Sequence, residues 1–533
     1  MKRILFFTCF ITFLACSLNA QTNADDYTII PVDKRVREFA NPNDNKTPLN
    51  AFITYIYTVA NGKWQEVNSL SSVTKKRNYS PEFQEKNEWL LDYTIKEIIM
   101  YKDSVVGVIP SFNKDPWYTI WFFYFENGRW VNIGENIGKE TIEDTRQLFL
   151  KEAITRLEIV HKVKLLDIVS TDTSAFVRYL QEKGKEPVPF LLNALSHHKL
   201  VVYGEIHNQK ASWDLLRALI RHPEFTQSVG TVFLELSKSA QANFDSFFNN
   251  KTKEPEIILD ILRNEEWNGW PDTKDMFEFI LDLWDINEQL APENRIKALA
   301  IDFQRPFHTP ITTKEQYDAF YEGFIDRNLC MADIIEGHIK FSADQRNALF
   351  IVGSGHAYKS SVIVKSGYQQ TGRSAVSLLL ERLPKESIFS IIIHSPMVSN
   401  NGYLYGKLRK GLFDYVFANT GNQPVAFNLQ DSPFGRELFD GCTAIAFRPE
   451  TGTYEDNYDA YIFLEAVEEE VNSPLLYELY SDEFVEEIKR RAQVLGYEND
   501  IFWGIKVKDL TRGHIISRLK AKENCKRWNF EGK

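Results

Sequence analysis

Two turns in this chain set acid, imidazole and glycine directly behind apolar runs. In Lys199-Leu-Val-Val-Tyr-Gly-Glu-Ile-His-Asn208 the run Leu200 to Tyr203 leads into Gly204, Glu205 and His207. In Leu349-Phe-Ile-Val-Gly-Ser-Gly-His356 a second run leads into Gly353 and His356. Glycine lets backbone approach a ligand closely and accepts conformations that other residues avoid. Glu235, Asp302 and His394 close three further apolar runs. Such a set supports two chemistries. Neutral imidazoles of His207 and His356 with Glu205 and Glu235 can hold a divalent transition metal (Zn, Mn or Co), which lowers the pKa of bound water and polarises an ester or amide carbonyl. Alternatively, His207 or His356 acts as a general base on water, oriented by a carboxylate, without metal. The residue types leave both open. The His-Glu-x-x-His zinc signature, the Gly-x-Ser-x-Gly elbow and Gly-rich phosphate loops are absent from the sequence. A polar residue at a strand end is also ordinary structure, and Asp302 and His394, with no motif around them, read that way.

The elements that must position these residues follow Pro187 as strand, loop, helix, repeated. Strands are expected at Leu200–Tyr203, Thr231–Leu234, Ala298–Ile301, Leu349–Val352, Ile388–Ile393, Tyr415–Ala418, Val425–Phe427 and Tyr461–Leu464, with helices between the earlier ones, as at Ala211–Arg221 and Lys314–Phe341. Apolar strands separated by helices argue for a mainly parallel sheet covered by helical layers, an α/β fold. Sites in such sheets form at the carboxyl ends of the strands, where the acids and imidazoles above fall. Glu265-Glu-Trp-Asn-Gly-Trp270-Pro lies in the long insertion between the second and third of these strands. Trp267 and Trp270 either line a pocket under that insertion or pack it onto the sheet.

Upstream, a helix from Leu49 to about Leu70 precedes strands at Lys96–Tyr101, Val105–Ile109, Trp117–Phe125 and Trp130–Ile133, the last two joined at Glu126-Asn-Gly128, a hairpin signal. This order of one helix and a curled antiparallel sheet is similar to nuclear transport factor two-like modules, and it suits a docking domain or a ligand pocket. The expected organisation is therefore a signal peptide at 1–20, a small α+β domain at 21–138, a helical connector at 139–186, the α/β domain at 187–470 and a helical segment at 471–533.

Lys2 and Arg3, the apolar run Ile4 to Ala15 and Ser17-Leu-Asn-Ala20 read as a secretory signal, so the protein is expected to be exported, periplasmic or secreted. Phe13-Leu-Ala-Cys16 is a rough lipobox, which would instead attach a lipid anchor at Cys16. No later apolar run has the length of a membrane span. The remaining cysteines, Cys330, Cys442 and Cys525, are an odd and sparse set rather than a disulfide framework. A formal charge of -11 supplies no basic face for nucleic acid. The partner expected is a small-molecule or peptide substrate.

Four motifs carry a family resemblance: Gly204-Glu-Ile-His-Asn208, Phe233-Leu-Glu235, Arg327-Asn-x-x-Met331-Ala332-x-x-Ile335 and Gly353-Ser-Gly-His356. Their order and spacing resemble the TIKI superfamily, which includes TIKI and TraB-like proteases, ChaN-like haem-binding lipoproteins and erythromycin esterases. The resemblance runs from about Val188 to Val467. It implies a three-layer α/β domain with Glu205, His207, Glu235 and His356 as catalytic or metal-holding groups. It also implies that Arg327, at the start of its helix, pairs with a site carboxylate or stabilises an oxyanion. The esterases usually place two residues between the Glu and His of the first motif; Glu205-x-His207 has one, as ChaN-like members do, so macrolide hydrolysis is not implied. The alternatives to a hydrolase are a ChaN-like binder of haem or another iron-containing ligand, with Tyr203 and Tyr358 the nearby tyrosines, and a non-catalytic scaffold.

Overall fold

The computed structural model of this protein describes residues 27–71, 86–101, 104–111, 118–137, 139–166, 170–322, 326–361, 373–398, 405–441, 451–498, 501–502, 505–522 and 527–528. The signal stretch with Cys9 and Cys16, and also Cys442 and Cys525, lie outside them. The chain divides into two compact units, 1–160 and 161–533. Among the described residues no helix is long and apolar enough to cross a membrane.

In the first unit, β1 (Tyr27–Arg35), β2 (Thr94–Tyr101), β3 (Val105–Ser111), β4 (Thr119–Glu126) and β5 (Arg129–Ile137) form one antiparallel sheet in sequential order. The β4–β5 turn has positive φ at both Asn127 and Gly128, as the twist of a tight hairpin requires. Helix Pro48–Ala60 stops at Asn61-Gly62, short of the expected Leu70, with Gly62 at φ 70°. Its Phe52 and Ile56 pack with Val106, Val108 and Phe123 on one face of the sheet. Ile99, Ile109 and Phe122 form the other face with Phe149 of the helix Ile142–Leu166.

The second unit is built on a seven-stranded sheet. Its strands are β6 (Leu200–Glu205), β7 (Val229–Ser237), β8 (Lys297–Asp302), β9 (Asn347–Gly353), β10 (Ile388–Ile393), β11 (Val425–Asn428) and β12 (Ala460–Phe463). They lie in the order β11-β12-β10-β6-β9-β7-β8, and every neighbouring pair is parallel except β11 with β12. Strand residues alternate between two cores, Val201 and Tyr203 in one and Leu200 and Val202 in the other, so helices cover both faces in three layers. The chain leaves β6, skips one position to β7 and β8, then returns to place β9 between β6 and β7. That return makes the carboxyl ends of β6, β9, β7 and β8 consecutive along one edge, the kind of switch point where α/β folds bind ligands.

Two further sequence expectations change in this unit. Tyr415–Ala418 is not a strand; it belongs to the helix Leu412–Asn419, where Phe413, Val416 and Phe417 are buried at helical spacing and Tyr415 is 57% exposed. The single helix expected over Lys314–Phe341 is two, Lys314–Glu322 and Arg327–Phe341. Asp326 caps the second, its carboxylate accepting from the backbone N–H groups of Asn328 (2.8 Å) and Leu329 (3.3 Å). The cap fixes where Arg327 and Asn328 enter the site.

At Gly204 backbone meets backbone, because a Cβ there would stand 2.7 Å from the carbonyl oxygen of Ile391, which cannot swing away. Gly204→Ala is therefore expected to cost about 1–3 kcal/mol of stability by overpacking, read as a lower denaturation midpoint; an unchanged midpoint would show that the sheet tolerates the contact.

Candidate functional site

Register decides which strand-end groups meet. Glu205 is paired with Gly353 across β6 and β9, and Leu234, just before Glu235, is paired with Ile351 across β7 and β9. Glu205 (3% exposed) and Glu235 (4%) are therefore buried on the two sides of the β9 terminus. A Cβ on Gly353 would lie 3.1 Å from His207 Cε1 and 3.4 Å from Glu235 Oε2. The glycine is what lets imidazole and carboxylate close over the strand end. Its own N–H donates to Glu235 Oε2 at 2.8 Å.

His207 sits two residues past the strand and turns back so that Nδ1 bonds Glu205 Oε1. Nearly half of its side-chain surface stays open to solvent (47%). The ring stands edge-on to Trp270, with centroids 5.4 Å apart. Glu205 Oε2 is buried with no hydrogen-bond partner. Donor atoms of Glu205, His207 and Glu235 all lie within 4.8 Å of one another, so the three side chains could hold a metal ion.

Arg327 ties the next two strand ends together. Its Nε donates to both oxygens of Asp302 (3.0 and 3.1 Å), and Nη2 donates to Asp302 Oδ2 (2.7 Å) and Glu235 Oε1 (2.6 Å). Asp302 also accepts from Arg305 Nη2 at 3.2 Å. His356 completes the group: Nε2 lies 3.5 Å from Glu235 Oε1, and Nδ1 lies 2.6 Å from the side-chain oxygen of Asn328. An amide oxygen only accepts, so this bond assigns the proton to Nδ1 and leaves the Nε2 lone pair toward Glu235.

The electrostatics separate the two histidines. The Glu205 carboxylate beside His207 raises its pKa to about 9 against the opposing effect of burial. Burial dominates at His356 and lowers its pKa, even with Glu235 near. Burial works against ionisation of Glu235, but His356, Arg327, His207 and the Gly353 N–H outweigh it and bring the carboxyl down to about 2. For Arg327, burial opposes the charge, and Asp302 and Glu235 more than offset it. The guanidinium stays charged.

The structure thus brings together all five residues singled out in the sequence, Glu205, His207, Glu235, His356 and Arg327, and adds Asp302 and Asn328. Asp302 looked like an ordinary strand end because its partner is 25 positions away; Asn328 was legible only as the residue after Arg327. His394 stands apart. It is buried against Tyr461 (Nδ1 to the hydroxyl, 2.6 Å) and faces Asp414 at 3.6 Å, a tie between β10, β12 and the helix Leu412–Asn419. Trp270 joins the site, whereas Trp267 packs against Tyr497 at 6.1 Å between centroids. Tyr203 is wholly buried, with its hydroxyl bonded to Ser212, and Tyr358 is buried too, so neither is presented as a haem ligand. The hollow beside His207 has a volume of about 10 Å³, on the scale of a single water.

No family model matches this sequence, and no curated protein sequence matches it. Among solved structures, a succinoglycan biosynthesis protein shares 9% identity over 56% of this chain and 98% of its own, with a TM-score of 0.40. An erythromycin esterase mutant in its open conformation shares 9% identity over 52% of this chain and 96% of its own, at a TM-score of 0.33. ChaN of Campylobacter jejuni, described with cofacial heme binding, shares 15% identity over 39% of this chain and 85% of its own, at a TM-score of 0.24.

Proposed function

We propose that this chain is an exported hydrolase that activates water against an ester or amide carbonyl. The observation that supports this reading is the convergence of Glu205, His207, Glu235, His356 and Arg327 on one sheet edge, with the two imidazoles driven toward opposite protonation states. Titratable groups pushed apart within one site divide into acid and base. His356, neutral and held through Nδ1 on Asn328, offers Nε2 to take a proton from water. Glu235, anchored by Arg327 and Gly353, sits where it can orient that water. His207, charged beside Glu205, returns a proton to the leaving oxygen or nitrogen. Arg327 supplies fixed positive charge for the developing oxyanion. A divalent transition ion held by Glu205, His207 and Glu235 would supply Lewis-acid polarisation and a more acidic water in place of the His207 proton. Export rests on the sequence of residues 1–20 alone.

The test is turnover of small p-nitrophenyl esters and peptide amides by purified protein, with chelator or with added Zn, Mn or Co. His356→Ala is expected to lower kcat/KM by about 10²–10⁴-fold with the fold intact by circular dichroism. Undiminished turnover would remove His356 from the chemistry. A Soret band on haem addition, with no turnover of any ester or amide, would favour the binding protein instead.

Gly353→Ala separates site geometry from stability. The added methyl crowds the ring tip of His207, at 3.1 Å, rather than backbone, so kcat should fall while the denaturation midpoint stays near that of the unmodified protein. Equal loss of both would mean that the glycine serves packing instead.

In chelator-treated protein the His207 imidazole should titrate near 9 by NMR, because the folded state holds its proton beside Glu205. Its folded pKa lies above the ordinary value of 6.5, so the stability it contributes is complete below that value and is lost as pH rises through 9. Glu205→Gln should return the titration toward the ordinary imidazole range, whereas a midpoint unmoved by that change would discard Glu205 as the cause.

A further inference from the structure

The turn that carries His207 is tied down by backbone on its far side. Asn208, left-handed at φ 64°, gives its carbonyl oxygen to the N–H of Ser473 at 3.0 Å, and Gln209 bridges antiparallel to Asn472. His207 itself is answered from 320 positions further on, where Arg527 Nη2 donates to its carbonyl oxygen at 2.5 Å. That arginine is anchored in turn. Its backbone N–H donates to the Glu470 carbonyl oxygen at 2.9 Å, and its Nε faces Glu470 Oε2 at 3.7 Å. The indole N–H of Trp528 donates to the same Oε2 at 2.7 Å, and the Arg527 guanidinium lies 5.0 Å from the centre of the Trp528 ring. Glu470 stands two residues before Asn472, so one short segment holds both the turn and the arginine that grips it.

Burial makes the contact informative. The Arg527 side chain is 11% exposed, and its Nε and Nη1 have no hydrogen-bond partner. Burial lowers its pKa, against the opposing charges of Glu470, Glu205 and Asp275. A buried guanidinium with two unanswered donor atoms is a poor device for stability alone. Its Nη2 is directed instead to the backbone of a site histidine.

We infer that Arg527 is a positioning residue of the site: it fixes the His207 carbonyl, and through that backbone the imidazole, beside Glu205 and the end of β9. The inference rests on the hydrolase reading for the step that would be slowed, and not for the placement itself. His207 calls for such a support because nearly half of its side chain is open to solvent even with Nδ1 on Glu205. His356, 15% exposed and held through Asn328, has its support from its own side chain. The guanidinium suits the task, since one nitrogen reaches the carbonyl while another faces Glu470. Placement matters in proportion to the chemistry, because a shift of about 1 Å in a reacting group can cost about 10²-fold in rate.

The test compares Arg527→Ala and Arg527→Lys with the unmodified full chain, treated with chelator. Amide hydrogen exchange of residues 206–209 and the imidazole NMR signals of His207 and His356 are recorded beside kcat, KM and the denaturation midpoint. Arg527→Ala is expected to speed exchange across that turn by about 10-fold or more, as a local opening does, and to move the His207 signals while those of His356 stay. On an ester or amide that the unmodified protein cleaves, kcat should fall by about 10–10²-fold with KM nearly unchanged. Arg527→Lys keeps the charge but loses the fork, so the same changes are expected at smaller size, and this variant decides the matter should the alanine one not fold. Unchanged exchange and unmoved His207 signals in both variants would overturn the inference. So would faster exchange spread evenly along the chain, which would make Arg527 a packing residue, or a higher kcat, which would make this segment a cover over the site. Turnover separates this inference from the broader one. A local response at residues 206–209 in a protein that cleaves no ester or amide would remove the hydrolase and leave the placement; full activity and an unaltered turn in both variants would remove the placement and leave the hydrolase.

Discussion

Arg327 is a side chain on whose charge the neighbouring strand ends depend. Glu235 lies near the carboxyl end of β7 and Asp302 ends β8, and two buried carboxylates at adjacent strand ends would repel each other in a medium that screens poorly. One guanidinium, a quarter exposed, bonds both. Its planar fork suits this task in a way a lysine ammonium would not, since Nε and Nη2 reach Asp302 together while Nη2 also reaches Glu235. The position of that fork is set by the Asp326 cap, which fixes the first turn of the helix Arg327–Phe341. Without the cap, both Arg327 and its neighbour Asn328 would lose their place.

From that fixed pair the rest of the site follows by contact. Glu235, held through one oxygen by Arg327 and through the other by the Gly353 N–H, stands against His356, and Asn328 on the same helix turn fixes the His356 tautomer. Helix N-terminus and strand β9 therefore specify one imidazole from both sides. His207 is specified differently, by a carboxylate two residues before it and by the absence of a side chain at Gly353. The two histidines share a site yet have separate supports, and this is why burial governs one and a carboxylate governs the other.

What was legible in the sequence was whatever could be read within a few residues. Glycine turns behind apolar strands pointed to Glu205, His207 and His356, and the alternation of strands and helices gave a mainly parallel α/β sheet. Asp302 closes its apolar run like an ordinary strand end, because the guanidinium that gives it a role arrives 25 positions later, on the helix Arg327–Phe341 that follows Lys314–Glu322. His394 closes an apolar strand as His356 does but has no glycine turn around it, and sheet order, which puts β10 on the far side of β6, keeps it away from the site. The apolar run Tyr415–Ala418 was too short for periodicity to tell helix from strand; burial of Phe413, Val416 and Phe417 decides it.

A packing role alone accounts poorly for this network. Replacing a buried ion pair by well-packed apolar residues is often neutral or stabilising, so buried charge is weak evidence of a need for stability. Here three carboxylates, two imidazoles and a guanidinium occupy the edge of a sheet whose interior is otherwise filled by Val, Leu, Ile and Phe, and one carboxylate oxygen is left without a partner. The cluster also sits where backbone has been thinned, with Gly204 and Gly353 in adjacent parallel strands, each next to an atom that a methyl would crowd. A structural tie needs no such clearance: His394, held between Tyr461 and Asp414 on the far side of β6, keeps its place without a glycine beneath it. Cleared backbone is what separates this edge from that tie, since His394 Nε2 and both Asp414 oxygens are likewise buried without a hydrogen-bond partner.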